Sequence, residues 1–201
     1  MRRILAGSGN PNKVKELDAF LRPLGVEVLS LSDLDERPPE VEESGSTFEE
    51  NARLKALGYA RATGLWTLAD DSGLEVEALG GRPGIHSARF AGPRATDAEN
   101  NARLLEEMRD VPDERRACRY VAVVVLASPE KVLLEARGHC PGVLLRSPRG
   151  TGGFGYDPLV LIPEAGRTFA EMTREEKGRI SHRSRALAAL AEDLERMIEE
   201  S

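Results

Sequence analysis

The segment from Tyr120 to Ala127 is the longest uninterrupted apolar run in the chain. It is rich in valine, and the turn-forming Ser128-Pro129-Glu130 follows it, so it predicts a strand returning as an antiparallel hairpin through Lys131–Ala136. It is far shorter than the roughly 20 residues needed to cross a bilayer. Elements that alternate between helix and strand precede this hairpin. Arg3–Ala6 reads as a buried strand running into Ser8-Gly9-Asn10-Pro11, with Asn10 as a helix cap and Pro11 at the first helical position. Val14, Leu17, Leu21 and Leu24 share one helical face, which Gly25 closes. Val26–Leu31 is a second strand, and Thr47-Phe48-Glu49-Glu50 has the form of a capping box opening a helix that ends near Gly64. Leu65–Ala69 is a strand leading into Asp70-Asp71-Ser72-Gly73, so the acidic pair is expected at a strand end.

After a turn-rich stretch from Gly80 to Gly92, Thr96-Asp97-Ala98-Glu99 caps a helix whose apolar side is Leu104, Leu105 and Met108. Beyond the hairpin, Val143–Leu145 and Leu159–Ile162 are short strands. Thr173 starts a short helix, and Ser181 caps a last one with a stripe of Leu187, Leu190, Leu194, Met197 and Ile198. Early alternation interrupted by a hairpin predicts an α/β fold with a mixed sheet. No linker or repeat divides residues 1–201, which read as a single domain.

Composition narrows the function. A 40% hydrophobic chain with a net charge of only −6 is not disordered. Two cysteines without a C-x-x-C pair exclude a disulfide scaffold and a zinc ribbon. The start, Met1 to Ala6, has the charged head of a signal peptide, but Gly7 to Asn10 end it before an apolar segment develops. A cytoplasmic protein with no membrane role is therefore expected. Lys and Arg form no block, which argues against a nucleic acid polymer as partner. A small phosphorylated ligand stays open, because a few placed cations and a metal suffice for it.

Four segments carry the candidate chemistry. Ser8, Gly9, Asn10, Pro11, Asn12 and Lys13 form a strand-to-helix turn of the kind that offers backbone N–H groups and a positive dipole end to phosphate. Asp70-Asp71, with Glu42-Glu43 upstream, supplies carboxylates suited to Mg²⁺ shared with substrate phosphates, or to taking a proton from water. Thr151 to Pro158 surrounds Phe154 and Tyr156 with glycines, so a backbone can approach a flat ligand while a ring stacks on it. Lys177, His182 and Arg183 form a cationic group between the last two helices. His139 and Cys140, adjacent in a strand, point to opposite faces and share no metal. Each segment alone also reads as an ordinary cap, turn or core element.

Taken in order, these segments resemble the inosine triphosphate pyrophosphatases, also called dITP/XTP pyrophosphatases. The likeness lies in Ser8-x-Asn10-x-x-Lys13, Thr47-Phe48-x-Glu50-Asn51-Ala52, Ala69-Asp70-Asp71-Ser72-Gly73-Leu74, Gly80-Gly81-x-Pro83-Gly84, Gly150 to Pro158 and Ser181-His182-Arg183. It implies an elongated mixed β-sheet flanked by helices, two lobes with a nucleotide cleft between them, and a homodimer. It also implies Mg²⁺-dependent hydrolysis of ITP, dITP and XTP to the monophosphate and pyrophosphate, clearing the nucleotide pool. Carried over, Ser8 to Lys13 and Lys55 bind the triphosphate. Asp71 is general base and metal ligand, and Glu42 is a second metal carboxylate. Ser72 contacts the ligand, Phe154, Gly155, Tyr156 and Asp157 hold base and ribose, and Lys177, His182 and Arg183 complete the base pocket. Two other readings stand beside this one: a pyrophosphatase for other modified nucleotides, and a nucleotide sensor without turnover.

Overall fold

A computed structural model describes residues 2–199. Met1 and the side chains of Arg2 and Ile198, the last a member of the predicted terminal stripe, lie outside the described residues. The strands are β1 (Arg2–Ala6), β2 (Val26–Leu29), β3 (Thr67–Val76), β4 (Ala117–Ala127), β5 (Val132–Leu144), β6 (Val160–Ile162) and β7 (Arg167–Thr168). The helices are α1 (Pro11–Leu21), α2 (Phe48–Thr63), α3 (Asp97–Glu107), α4 (Arg174–Ile180) and α5 (His182–Glu199). The sheet order is β2-β1-β3-β4-β5-β6-β7. β1 is parallel to β2 and β3, whereas β6 is antiparallel to β5 and β7, so the sheet is mixed as expected. Among the described residues no helix is long and apolar enough to cross a membrane.

The helix signals form for the reasons read from the sequence. The Asn10 side chain caps α1, with Pro11 at its first position. Thr96 with Glu99, and Thr173 with Glu176, close complete capping boxes on α3 and α4. At α2 the box is displaced by one residue. Thr47 Oγ1 accepts from the Glu50 amide, but the Glu50 carboxylate reaches past Thr47 to the Ser46 amide (2.6 Å) and hydroxyl (2.8 Å).

Two strand boundaries differ from expectation. β3 does not stop at Ala69: it runs on through Asp70, Asp71, Ser72 and Gly73, so the acidic pair lies inside a strand. Carboxylates are poor strand formers by themselves, and only the cations described below make the continuation tolerable. The two segments Lys131–Ala136 and Val143–Leu145 are joined in the continuous β5, which carries Pro141 and Gly142 in its interior. There His139 is exposed and Cys140 buried, on opposite faces as predicted.

The chain divides into two compact units, residues 1–71, 122–138 and 183–201 forming one, and 72–121 and 139–182 the other. In the first, Leu17 and Leu21 of α1 and Ala186, Leu187, Leu190 and Leu194 of α5 bury Ile4, Ala6, Val26, Leu68, Val124 and Leu126. In the second, Leu104 and Met108 join Leu74, Val76, Tyr120, Leu144, Tyr156, Leu159 and Phe169 in a separate core. Gly142 is a contact point of that second unit. A Cβ there would be driven into Val160 Cγ1 and would stand 3.0 Å from the Leu161 carbonyl oxygen. Gly142→Ala is therefore expected to destabilise the protein by about 1–3 kcal/mol, read in a thermal melt at roughly 2–4 °C per kcal/mol.

Candidate functional site

Side-chain alternation along β1 and β3 decides which groups meet in the first unit. Ile4, Ala6 and Leu68 face α1 and α5. Leu5 faces the other way, against Tyr59 of α2. Gly7 and Ala69 belong to that second face: a Cβ on Gly7 would stand 3.1 Å from Ala69 Cβ and 3.2 Å from the Tyr59 ring. Asp70 continues the row of Leu68, and Asp71 the row of Ala69. Two carboxylates adjacent in sequence thus meet different helices.

Asp70 is 1% exposed. Its Oδ2 accepts from Arg183 Nε (3.0 Å) and Nη2 (2.9 Å) and lies 3.1 Å from Lys13 Nζ. Burial alone would raise its pKa, but the charges of Arg183, Lys13 and Lys55 outweigh it and hold the carboxyl well below the usual carboxylate range. Arg183 is buried too, and its Nη1 binds the Glu16 carboxylate. Burial works against that guanidinium, yet Asp70 and Glu16 raise its pKa overall. Lys13 is pushed down, by burial first and then by Arg183 and Lys55, against the pull of Asp70.

Asp71 has other partners. Lys55 Nζ donates to its Oδ1 at 3.1 Å, and Asn51 Nδ2 to its Oδ2 at 3.4 Å. Asn51 and Lys55 are four residues apart and so share one face of α2. Lys55 also meets Glu43 Oε1 at 3.1 Å. Burial, assisted by the like charge of Glu43, raises the Asp71 pKa despite Lys55 and Lys13. The same carboxylates raise that of Lys55 against its burial. Glu42 is exposed, and the carboxylate beside Lys55 comes from the next residue, Glu43. Asn51 Oδ1 accepts from the Gly45 amide at 2.8 Å, which pins the loop that carries Glu43.

The turn from Ser8 to Lys13, expected to offer backbone N–H groups to phosphate, differs from its sequence reading in one respect. The Asn12 and Lys13 amides are occupied by Asn10 Oδ1 (2.9 and 3.4 Å), Val14 N bonds to Asn10 O, and Pro11 has no N–H. The first turn of α1 therefore offers a ligand little backbone. Ser8 Oγ accepts from the Asn10 amide at 3.2 Å, and the ammonium of Lys13 is the main cationic group of the segment.

The second unit gathers the aromatic loop and Lys177. Asp157 Oδ2 accepts from Lys177 Nζ at 2.6 Å and from the Phe154 amide at 2.9 Å. Lys177 Nζ lies 4.3 Å from the centre of the Phe154 ring and 5.3 Å from that of Phe169, within cation–π reach of both. Gly153, at φ +73°, leaves room for the Asp157 carboxylate that any Cβ would occupy. His182 stacks on Tyr120 with ring centres 5.0 Å apart, and Tyr120 contacts Phe169 in turn. Tyr156 is buried, its hydroxyl donating to the Ser87 carbonyl at 2.9 Å, so Phe154 is the half-buried ring of the loop. Ser72 is half-buried in β3.

The structure thus brings Lys13, Lys55, Asp70, Asp71 and Arg183 together in the first unit, and Phe154, Asp157 and Lys177 in the second. Sequence reasoning missed Glu16, Asn51 and Tyr120 as members of these groups, and it named Glu43 only in the pair Glu42-Glu43. The helical spacings Lys13–Glu16 and Asn51–Lys55 were the available signals.

Among the described residues, the first cluster sets four carboxylates (Glu16, Glu43, Asp70, Asp71) against three cations (Lys13, Lys55, Arg183). That excess of negative charge suits a divalent cation with a polyphosphate better than a polyphosphate alone. Asp71 and Glu43 both lie 3.1 Å from Lys55 Nζ, and no group of three or more His, Cys, Asp or Glu forms a complete metal site among the described residues. Magnesium fits such a donor set, since it uses one or two carboxylates together with substrate phosphates. Asp70 Oδ1 is buried without a hydrogen bond among the described residues.

These features define an α/β protein with a buried cluster of paired carboxylates and cations. The Ham1 family model matches residues 4–193, and the chain belongs to that family. A dITP/XTP pyrophosphatase of Thermus thermophilus is 56% identical over 190 residues, covering 94% of this chain and 90% of that protein. One of Escherichia coli K12 is 47% identical over 196 residues, covering 96% and 98%. Among solved structures, a HAM1 protein of Coxiella burnetii matches over 100% of both chains, with TM-score 0.85 and 39% identity.

Removing the charge of Asp70 tests the first cluster. Asp70→Asn is expected to cost about 3–5 kcal/mol in urea denaturation at neutral pH, because it leaves a buried guanidinium under-compensated. The native pKa of Asp70 is depressed, so its stabilisation is complete above the unfolded value of about 3.9 and is lost as pH falls below it. The gap between wild type and variant should therefore narrow as the pH is lowered from about 4.

Proposed function

We propose that this chain is a nucleoside triphosphate pyrophosphatase that hydrolyses non-standard purine nucleotides (ITP, dITP, XTP) to the monophosphate and pyrophosphate, with Asp71 as general base. The observation that carries this reading is the unequal treatment of two adjacent carboxylates. Asp70 is committed as an anion to Arg183 and Lys13, while burial and Glu43 raise the proton affinity of Asp71. Environments that drive paired acids apart in pKa mark the member suited to proton transfer. The substrate class is supported by the names of relatives 56% and 47% identical.

In this mechanism Lys13 and Lys55 neutralise charge on the phosphate oxygens and align the chain for in-line attack. Asp71 takes the proton of the attacking water, and attack at either phosphorus of the α–β anhydride gives the same two products. Asp71 and Glu43 would hold Mg²⁺, which when bound screens phosphate charge and orients the substrate. Phe154 offers a ring to the base. Lys177 and His182 are read as donors to a purine 6-oxo group; an adenine amino group would meet those donors with another donor and lose hydrogen bonds. A cytoplasmic homodimer completes the reading, its assembly to be measured by light scattering.

Pyrophosphate release with Mg²⁺, comparing ITP, dITP and XTP against ATP and GTP, tests the substrate and the metal together. EDTA should abolish release. Asp71→Asn should lower kcat by about 10²–10⁴-fold with the melting temperature retained. Orthophosphate in place of pyrophosphate would overturn the reaction, and tight ITP binding without turnover would favour a sensor.

A further inference from the structure

The backbone of Gly155, next to Phe154, is held by α3 at both its N–H and its C=O. Asp97, the first residue of the helix, accepts from the Gly155 amide at 2.7 Å. Asn101, one turn on, donates from Nδ2 to the Gly155 carbonyl at 3.0 Å. Gly155 has φ +60°, and a Cβ there would meet nothing within 4 Å. It is therefore the left-handed backbone rather than a lack of room that calls for glycine.

α3 is a firm support. Its first turn is closed by the reciprocal Thr96–Glu99 box, and Leu104 is fully buried in the core of the second unit. The neighbouring Asn100 uses both ends of its amide, donating to the Ala88 carbonyl (3.1 Å) and accepting from the Ala91 amide (2.8 Å). Asn101 differs. Its Oδ1 is buried with no hydrogen bond among the described residues. A buried acceptor left unpaired costs stability, so the Asn101 amide keeps its bond to Gly155 at the expense of its own second bond.

We propose that Asp97 and Asn101 are positioning residues: clamping the Gly155 peptide, they fix the Phe154 ring, and with it the base-binding geometry, without touching the substrate. The clamp works from outside the loop. Asp157 acts from inside it, accepting from the Phe154 amide and from Lys177. With the 154–155 peptides pinned from both sides, the ring is ordered before a ligand arrives, and the cost of ordering it on binding falls. This assignment rests on the pyrophosphatase reading, with the base bound at Phe154.

Steady-state kinetics of the full-length protein with ITP test it. Asn101→Ala and Asp97→Ala should each raise KM about three- to tenfold, the loss of one hydrogen bond, with kcat within about twofold of wild type. Asp97→Asn keeps an acceptor and should restore KM. In a Phe154→Ala background, Asn101→Ala should change KM less than twofold, because the ring it positions is gone; a merely structural loss would persist there. Unchanged KM in Asn101→Ala, a fall confined to kcat, or an effect undiminished in the Phe154→Ala background would overturn the proposal. Failure of the wild type to release pyrophosphate from ITP would overturn the parent reading instead. The clamp is then judged by calorimetric ITP affinity in the same variants: a three- to tenfold loss upholds it, and unchanged affinity refutes it.

Discussion

The guanidinium of Arg183 is almost fully buried, and the first unit is organised around keeping its charge satisfied. An ion of that size removed from water costs several kcal/mol unless its partners are well placed. Asp70 supplies one oxygen to two of its nitrogens, and Glu16 takes a third. The partners come from β3 and α1, so with Arg183 on α5 the contact ties three elements together. Lys13 shares Asp70, so the same knot that holds α5 against α1 also sets the direction of the Lys13 ammonium. None of these groups can be exchanged singly without stranding another.

Arg116, likewise deeply buried, solves the problem differently. Its guanidinium donates to the carbonyl oxygens of Met108, Val111, Leu144 and Leu145. Met108 and Val111 lie just beyond α3, where carbonyl groups lack helical partners and a cation is favoured by the dipole. Arg116 therefore pays its desolvation with backbone dipoles and joins the end of α3 to the end of β5. The contrast separates a cation spent on architecture from the cluster of Lys13, Lys55 and Arg183, where the counter-ions are carboxylates with chemistry of their own.

Most of the fold was legible because its signals are local. Asn10 before Pro11, Thr96 before Glu99, Thr173 before Glu176 and the apolar stretch from Tyr120 each declare an element within a few residues. The strand boundaries at Asp70 and at Pro141-Gly142 were not legible. Acidic and turn-forming residues there speak locally against a strand, and distant partners overrule them. Asp70 is paired across 113 residues with Arg183, and Glu16 across 167. The candidate site shows the same division. Lys13, Lys55, Asp71, Asp157 and Lys177 belong to recognisable motifs. The pairing of Glu43 with Lys55, the hold of Asn51 on Asp71 and the contact of Tyr120 with His182 depend on loop path and strand parity, which no short pattern encodes.

That parity carries a consequence for how the sequence can change. In a strand, position is read modulo two, so a single-residue insertion or deletion shortly before Asp70 would exchange the two acids between faces. An insertion would bring the acid now bonded to Arg183 opposite Lys55, and a deletion would bring its neighbour opposite Arg183, the other acid in each case being carried out of register. β3 therefore behaves like a reading frame: it can accept many substitutions that respect the alternation, while length changes within it scramble both chemical assignments at once. Divergence in this part of the chain should proceed by replacement, and variation in length should collect in the turns outside it.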